Sequence, residues 1–427
     1  MKNILYASYK FFLPLIALIA LPIILVALVA VPKFRAGIFE KLGFYGKIKV
    51  PLNKEVVAFH AVSLGETNAV APAVKAFREK NPDTVIVFTN TTKTGHDAAV
   101  KSLSGVVDYI AYFPLDFSFS VNSFLNTFRP SKIVIAETEI WPAFVFESAK
   151  RKIGLYVANG RLSPHSYRGY KKFSFIFKPI LEKYTALIMQ SQDDVKRIVD
   201  VGAPADKTVC GGNLKFDIGR NMNAEETAAM NERFKSFGKE IFIAASTHKG
   251  EDEIVIDLYK KLKKSRPSLK FLLAPRHPER FASVFELLKS ENLILGKVSA
   301  GDNFDDYDVI LADTTGELSK YFSFCKFAFI GGSFSGTGGH NPLEAAIWNK
   351  PAVSGPDVFN FKDVYGILTQ KQAAFVVSNP EELFEICLKL LSDVEFYDFA
   401  CNNTRSVFDE NKGAVENLTD ILKNSCL

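Results

Sequence analysis

The chain has few cysteines and none in a metal-binding arrangement. The five, at 210, 325, 387, 401 and 426, never form CxxC, so zinc ribbons and dithiol redox pairs are not expected. A scattered odd count fits a reducing compartment, hence the cytoplasm. No pair among the six histidines has HExxH spacing, and GxxxxGK[ST] is absent, which leaves zinc hydrolysis and P-loop triphosphate hydrolysis without support. Charge of one sign is also scarce in excess. The 52 Lys and Arg stand against 47 Asp and Glu, a net +5. That is too small to argue for nucleic acid, and it fits work beside anionic lipid. Low-complexity segments and short-period repeats are missing too.

The N-terminus shows what is present instead. Phe11 to Val31 is 21 residues without a charge, and about 20 suffice to cross a bilayer. No small-residue cleavage site follows it, which argues against a removed signal. Lys33, Arg35, Lys41, Lys47 and Lys49 come after the run, and only Lys2 and Lys10 before it. That bias places the C-terminal body in the cytoplasm. Pro14 and Pro22 leave a monotopic course open beside a spanning one.

From residue 55 onward, short apolar runs alternate with helix-like segments. "EVVAFHAV", "TVIVFTN", "SKIVIAETE", "LYVAN" and "ALIMQS" form one series. "IFIAAST", "KFLLAPRH", "DVILADTT", "FAFI" and "PAV" form another. Strands this apolar suit a parallel sheet covered on both faces. The expectation is an α/β protein with two doubly wound domains, 36–215 and 216–427, after an anchor at 1–35. Ligands of such sheets sit at the carboxyl ends of strands, and two such domains would leave a cleft between them.

Polar residues cluster where those ends fall. All six histidines lie at or near strand ends or in loops. "GGSFSGTGGHNPLEAA" holds Gly331, Gly332, Gly336, Gly338 and Gly339 before a helix-like start at Asn341 and Pro342, with Glu344 just inside. Glycines permit close backbone approach and free N–H groups favour an anion. A plain turn capped by Asn341 is the weaker alternative. Arg276 in "APRHPERF" offers a fork for phosphate or carboxylate, with His277 beside it; a proline-made surface turn is about as good an account. Ser246 and Thr247 suit a phosphate or a simple N-cap. Ser63, Gly65 and Glu66 in "SLGE" form either a cap or a site with a general base. Glu137 and Glu139 alternate at a strand end, so both side chains can face one site. Arg161 opens a basic, aromatic stretch, 159–184, suited to a lipid–water interface. "DNFDD", 302–306, reads as a surface loop rather than a metal site.

Together "SLGE", "TNTTKTG", "ETEIWP", "NGRLS", "GNLKFD", "PRHPERF", "DTTGEL" and "GGSFSGTGGHNPLEAA" resemble, in order and along nearly the whole chain, the 3-deoxy-D-manno-octulosonic acid (Kdo) transferases of lipopolysaccharide synthesis. The resemblance implies a GT-B fold with two Rossmann-like domains, CMP-Kdo as donor, and the tetraacylated lipid A precursor (lipid IVA) as acceptor at the inner membrane. It implies inversion at the anomeric carbon without a metal or cofactor. Glu66 is then the candidate base, with Lys215 and Arg276 opposing leaving-group charge. Donor contacts fall to Ser246, Thr247, Arg276, His277, Gly331, Gly332, Gly338, Gly339, Asn341 and Glu344. Acceptor contacts fall to Ser63, Gly65, Glu137, Glu139 and Arg161. A sugar-nucleotide 2-epimerase is the nearest rival on such an architecture, and the apolar N-terminus speaks against it.

Overall fold

The apolar runs become strands buried on both faces. The computed structural model describes residues 2–46, 48–217, 224–234, 240–301, 304 and 307–424. They divide into two units, Met1–Asp217 with Asn411–Leu427, and Ile218–Glu410. The "DNFDD" stretch lies largely outside the described residues.

The first unit holds a seven-stranded sheet. Its strands are β1 (Val56–Ala61), β2 (Val85–Asn90), β3 (Tyr109–Tyr112), β4 (Lys132–Ala136), β5 (Gly154–Gly160), β6 (Ala186–Met189) and β7 (Thr208–Cys210). The order is β3-β2-β1-β4-β5-β6-β7, and every pairing is parallel. Alternate residues of one strand serve opposite faces. Val56 and Ala58 of β1 pack with Ile133, Ile135 and Phe144 on one face. Val57, Phe59 and Ala61 pack with Val70, Val74 and Phe77 of the helix Leu64–Lys80 on the other. Burying one such large side chain contributes about 1.5–3 kcal/mol, so both faces stabilise the sheet.

The second unit repeats the plan. Its strands are β8 (Ile241–Thr247), β9 (Lys270–Pro275), β10 (Leu295–Lys297), β11 (Val309–Leu311), β12 (Phe327–Ile330), β13 (Ala352–Ser354) and β14 (Ala374–Val376). They lie in the order β10-β11-β9-β8-β12-β13-β14, again all parallel.

The C-terminus departs from the division expected at 216–427. The helix Ala414–Asn424 belongs to the first unit, where Leu418 and Leu422 join Val74 and Phe77 in one buried cluster. Asp217 caps its start, accepting from Gly413 N at 3.3 Å and Val415 N at 2.7 Å. Lys80 Nζ donates to Thr419 Oγ1 and Asp420 Oδ1, both at 3.1 Å. An apolar helix face needs a partner, and the face of Leu64–Lys80 supplies it. At the other terminus a helix, Lys2–Ala30, carries an unburied stretch long and apolar enough to cross a membrane.

Candidate active site

In each sheet the strand order turns about the first strand, and open α/β sheets bind ligands at such a switch point. In the first unit it lies between β1 and β4, and in the second between β8 and β12. Glu66 follows β1, and Glu137 and Glu139 follow β4. Ser246 and Thr247 end β8, His248 comes next, and the glycine loop follows β12.

In the first unit Ser63 caps the helix Leu64–Lys80 and Glu66 completes a capping box. Ser63 Oγ accepts from Glu66 N at 3.3 Å and donates to Glu66 Oε1 at 2.9 Å; Val62 N donates to Glu66 Oε2 at 2.7 Å. Gly65 is exposed in the same turn. The plainer reading of "SLGE", a cap, is therefore realised. The carboxyl is also unusual. Burial pushes its pKa up to about 7, with the charges of Glu137 and Glu139 adding to the rise. Burial raises Glu139 as well, and Glu137 adds to it. Glu137 sits in the left-handed region at φ 58°, a conformation that carries strain in a non-glycine residue. Lys215 Nζ stands 3.7 Å from Glu137 Oε1. The backbone of Arg161 is tied to the β4 end through Thr138, whose Oγ1 accepts from Arg161 N at 2.9 Å and donates to Arg161 O at 2.6 Å. Glu66, Glu137, Glu139 and Lys215 thus converge.

Sequence reasoning missed the residues that position Lys215. Asn159, left-handed at φ 57° beside a register shift in β5, accepts from Leu214 N through Oδ1 at 2.9 Å. Gln190 Nε2 donates to Asn159 O at 3.0 Å, and Asn213 Nδ2 donates to Gln190 Oε1 at 3.2 Å. This chain of amides holds the "NLKFD" turn. The signal was the asparagine closing "LYVAN", a residue type that tolerates a left-handed bend.

In the second unit the first amides of the glycine loop, those just after β12 rather than those at the helix start near Pro342, already have an anion. Gly332 N donates to Glu251 Oε2 at 2.7 Å, and Ser333 N and Phe334 N donate to Glu251 Oε1, each at 2.8 Å. His248 N adds a fourth bond at 2.9 Å, and Glu251 is 1% exposed. The glycines answer to packing. A Cβ on Gly331 would stand 2.4 Å from Ser246 O, and one on Gly338 would meet the Phe359 ring at 2.5 Å. Gly332 and Gly339 have positive φ. Asn341 Oδ1 accepts from Leu343 N at 3.1 Å, as a cap would.

Thr247 is also turned inward. It is fully buried, and its Oγ1 donates to Asp252 Oδ1 at 2.7 Å. Ser246 is left-handed at φ 56° and nearly buried. Of the expected donor residues, Arg276 and His277 are exposed after β9, and Asn341 and Glu344 are half-buried. Arg276 acts on Glu344: burial pushes that carboxyl up, and the Arg276 charge opposes the shift. Three histidines gather here. His248 and His340 stack at 5.1 Å with their Nε2 atoms 2.8 Å apart, and His277 lies edge-on to His248 at 5.3 Å. Burial, then the Arg276 charge, holds His340 down to about 4. At neutral pH that ring is uncharged, and Arg276 is the fixed cation. His60 does not join any site. It is 1% exposed and stacks on Phe113 at 3.7 Å, and burial pushes it down to about 3.

A family model described as 3-deoxy-D-manno-octulosonic-acid transferase (kdotransferase) matches residues 36–218. The 3-deoxy-D-manno-octulosonic acid transferase of Haemophilus influenzae is 34% identical over 424 residues, covering 97% of this chain and 98% of that protein. The chain belongs to the Kdo transferase family. The Kdo transferase of Aquifex aeolicus is 31% identical over 82% of this chain and 90% of its own. Among solved structures, UDP-GlcNAc 2-epimerase from Neisseria meningitidis matches with a TM-score of 0.52 over 87% of this chain and 100% of its own. Its identity of 17% makes that a likeness of fold. As a Kdo transferase, then, this chain is a glycosyltransferase built on two Rossmann-like sheets of the GT-B type.

Proposed function

We propose that this Kdo transferase moves Kdo from CMP-Kdo to lipid IVA, at the cytoplasmic face of the inner membrane, with inversion at the anomeric carbon. The observation that carries the reading is Glu66, a carboxyl at the switch point of the first sheet whose pKa is raised to about 7. A base poised there is half ionised near neutral pH, which suits removal of a hydroxyl proton.

The first unit takes the acceptor. As an acceptor hydroxyl forms its bond to the anomeric carbon, its proton passes to a Glu66 carboxylate oxygen. The bond from that carbon to the CMP phosphate oxygen breaks, and its electron pair leaves with CMP. The second unit takes the donor. Arg276 provides a permanent cation for the donor's phosphate or carboxylate, beside neutral His248 and His340. Charge on a departing monophosphate is met by such fixed donors, so the step as written uses no metal. Lys215 keeps Glu137 company in the first unit, where it offsets one of three neighbouring carboxylates. The unburied apolar helix supports work at a membrane, where such an acceptor resides.

The test is transfer in detergent, with CMP-Kdo made in situ and lipid IVA as acceptor, read by mass spectrometry. The expected result is a lipid mass raised by whole Kdo units. Folded protein that binds CMP yet leaves the lipid unchanged would overturn the acceptor assignment.

A further inference from the structure

Length alone does not choose between a helix that crosses a bilayer and one that lies within a leaflet. The contacts at the two ends of the apolar run do. At its start, Tyr6 Oη donates to Glu147 Oε1 at 2.6 Å, and the Tyr6 ring stacks on Phe146 at 4.5 Å. Tyr9 Oη donates to Asp116 Oδ2 at 2.7 Å. At its end, Arg35 Nε and Nη2 donate to the carbonyls of Leu28 and Val29, both at 2.6 Å, and fold the chain back onto the helix. The returning segment then meets the body. Leu115 N donates to Lys41 O at 2.7 Å, and Tyr112 N donates to Glu40 Oε2 at 2.7 Å.

Leu115 and Asp116 are neighbours, about 3.8 Å apart at Cα. One loop after β3 therefore grips the chain both before and after the apolar run. A crossing helix would separate residues 9 and 41 by the hydrocarbon core, about 30 Å thick. No single loop in water bridges that.

We propose that the helix is a monotopic anchor, lying within one leaflet of an anionic bilayer with both of its ends in the compartment of the first unit. This rests on the membrane reading above and goes beyond it. The returning segment fits such a surface. Phe34, Phe39 and Phe44 are 48%, 72% and 67% exposed, interleaved with Lys33, Arg35 and Lys41. Apolar rings entering the leaflet beside cations at the headgroups is the pattern of an interfacial segment. The helix itself exposes apolar residues without a polar face, among them Phe11, Ile19, Ile23 and Val29. A helix apolar all round is covered by hydrocarbon on every side, and its course there is set by the contacts at its two ends.

The test uses the full chain in spheroplasts of an expressing bacterium, labelled from outside with a membrane-impermeant amine reagent and read by peptide mass spectrometry. Lys10, exposed at the helix start, is compared with Lys54 and Lys249, both exposed in the body. The expected result is that all three stay unlabelled in intact spheroplasts and become labelled together on lysis. Labelling of Lys10 in intact spheroplasts, with Lys54 protected, is a crossing helix and overturns the proposal. Labelling of all three before lysis keeps both ends on one side and overturns only the cytoplasmic placement. Protein that washes off in alkaline carbonate and does not float with phosphatidylglycerol vesicles overturns the membrane reading and the anchor together.

Discussion

Glu66 serves a helix cap and, as proposed, a proton transfer, and the two roles separate by substitution. Gln keeps an oxygen to accept from Val62 N, so Glu66→Gln retains most of the cap and loses the base. We expect kcat to fall about 10²–10⁴-fold, the range for a lost general base, with little change in unfolding temperature. Glu66→Ala should lose activity similarly and also about 1 kcal/mol of stability, the usual worth of a cap. The wild-type pH profile follows from the raised pKa. A base must be ionised, so kcat/KM should rise with pH up to about 7 and then level. A profile still flat well below pH 6, or a Glu66→Gln enzyme at full rate, would sink the assignment. Part of this was legible in "SLGE" and part was not. The cap is local chemistry, whereas the raised pKa comes from burial and from carboxylates some seventy residues on.

The second sheet's glycine loop shows the limit of reading an element from its own residues. The loop amides do bind a carboxylate, as their spacing suggests, but it belongs to Glu251, more than eighty residues earlier in the chain. A loop sequence does not record what fills it. Glu251→Ala strands four N–H donors, two of them buried and two partly buried. The expected loss is about 3 kcal/mol, or a fall of roughly 5–12 °C in melting temperature. Hydrogen exchange at 331–334 should accelerate with or without CMP. Loop amides protected in the wild type only when CMP is added would instead make the loop a ligand site. The strands show a matching pattern. The runs read from sequence are the inner strands of both sheets, and the unread ones, β3, β7, β10 and β14, are all four edges. Inner strands are covered on two faces and so are continuously apolar. Edges such as Leu295–Lys297 and Thr208–Cys210 are three residues long and partly exposed, so hydrophobicity leaves little trace of them.

At the scale of the molecule the chain does not end in the unit it last built. Periodicity identified the C-terminal segments as helical, but the choice of partner sheet is a tertiary decision that no local pattern holds. Its physical basis is the pairing of Leu418 and Leu422 with the helix Leu64–Lys80, together with the Asp217 cap. Leu422 is fully buried, and Leu422→Ala should destabilise by about 2–5 kcal/mol. That loss belongs to the unit carrying Glu66, nearly 360 residues away in sequence. Hydrogen exchange should therefore speed up in 64–80 and leave 251–265, in the second unit, unchanged. The proposed proton transfer by Glu66 depends on the register of that same helix, so transfer should decline at temperatures where the first unit begins to open, while the CMP binding proposed for the second persists. If 251–265 lost protection instead, the terminal helix would be a part of the second unit, and the division drawn at Glu410 would be wrong.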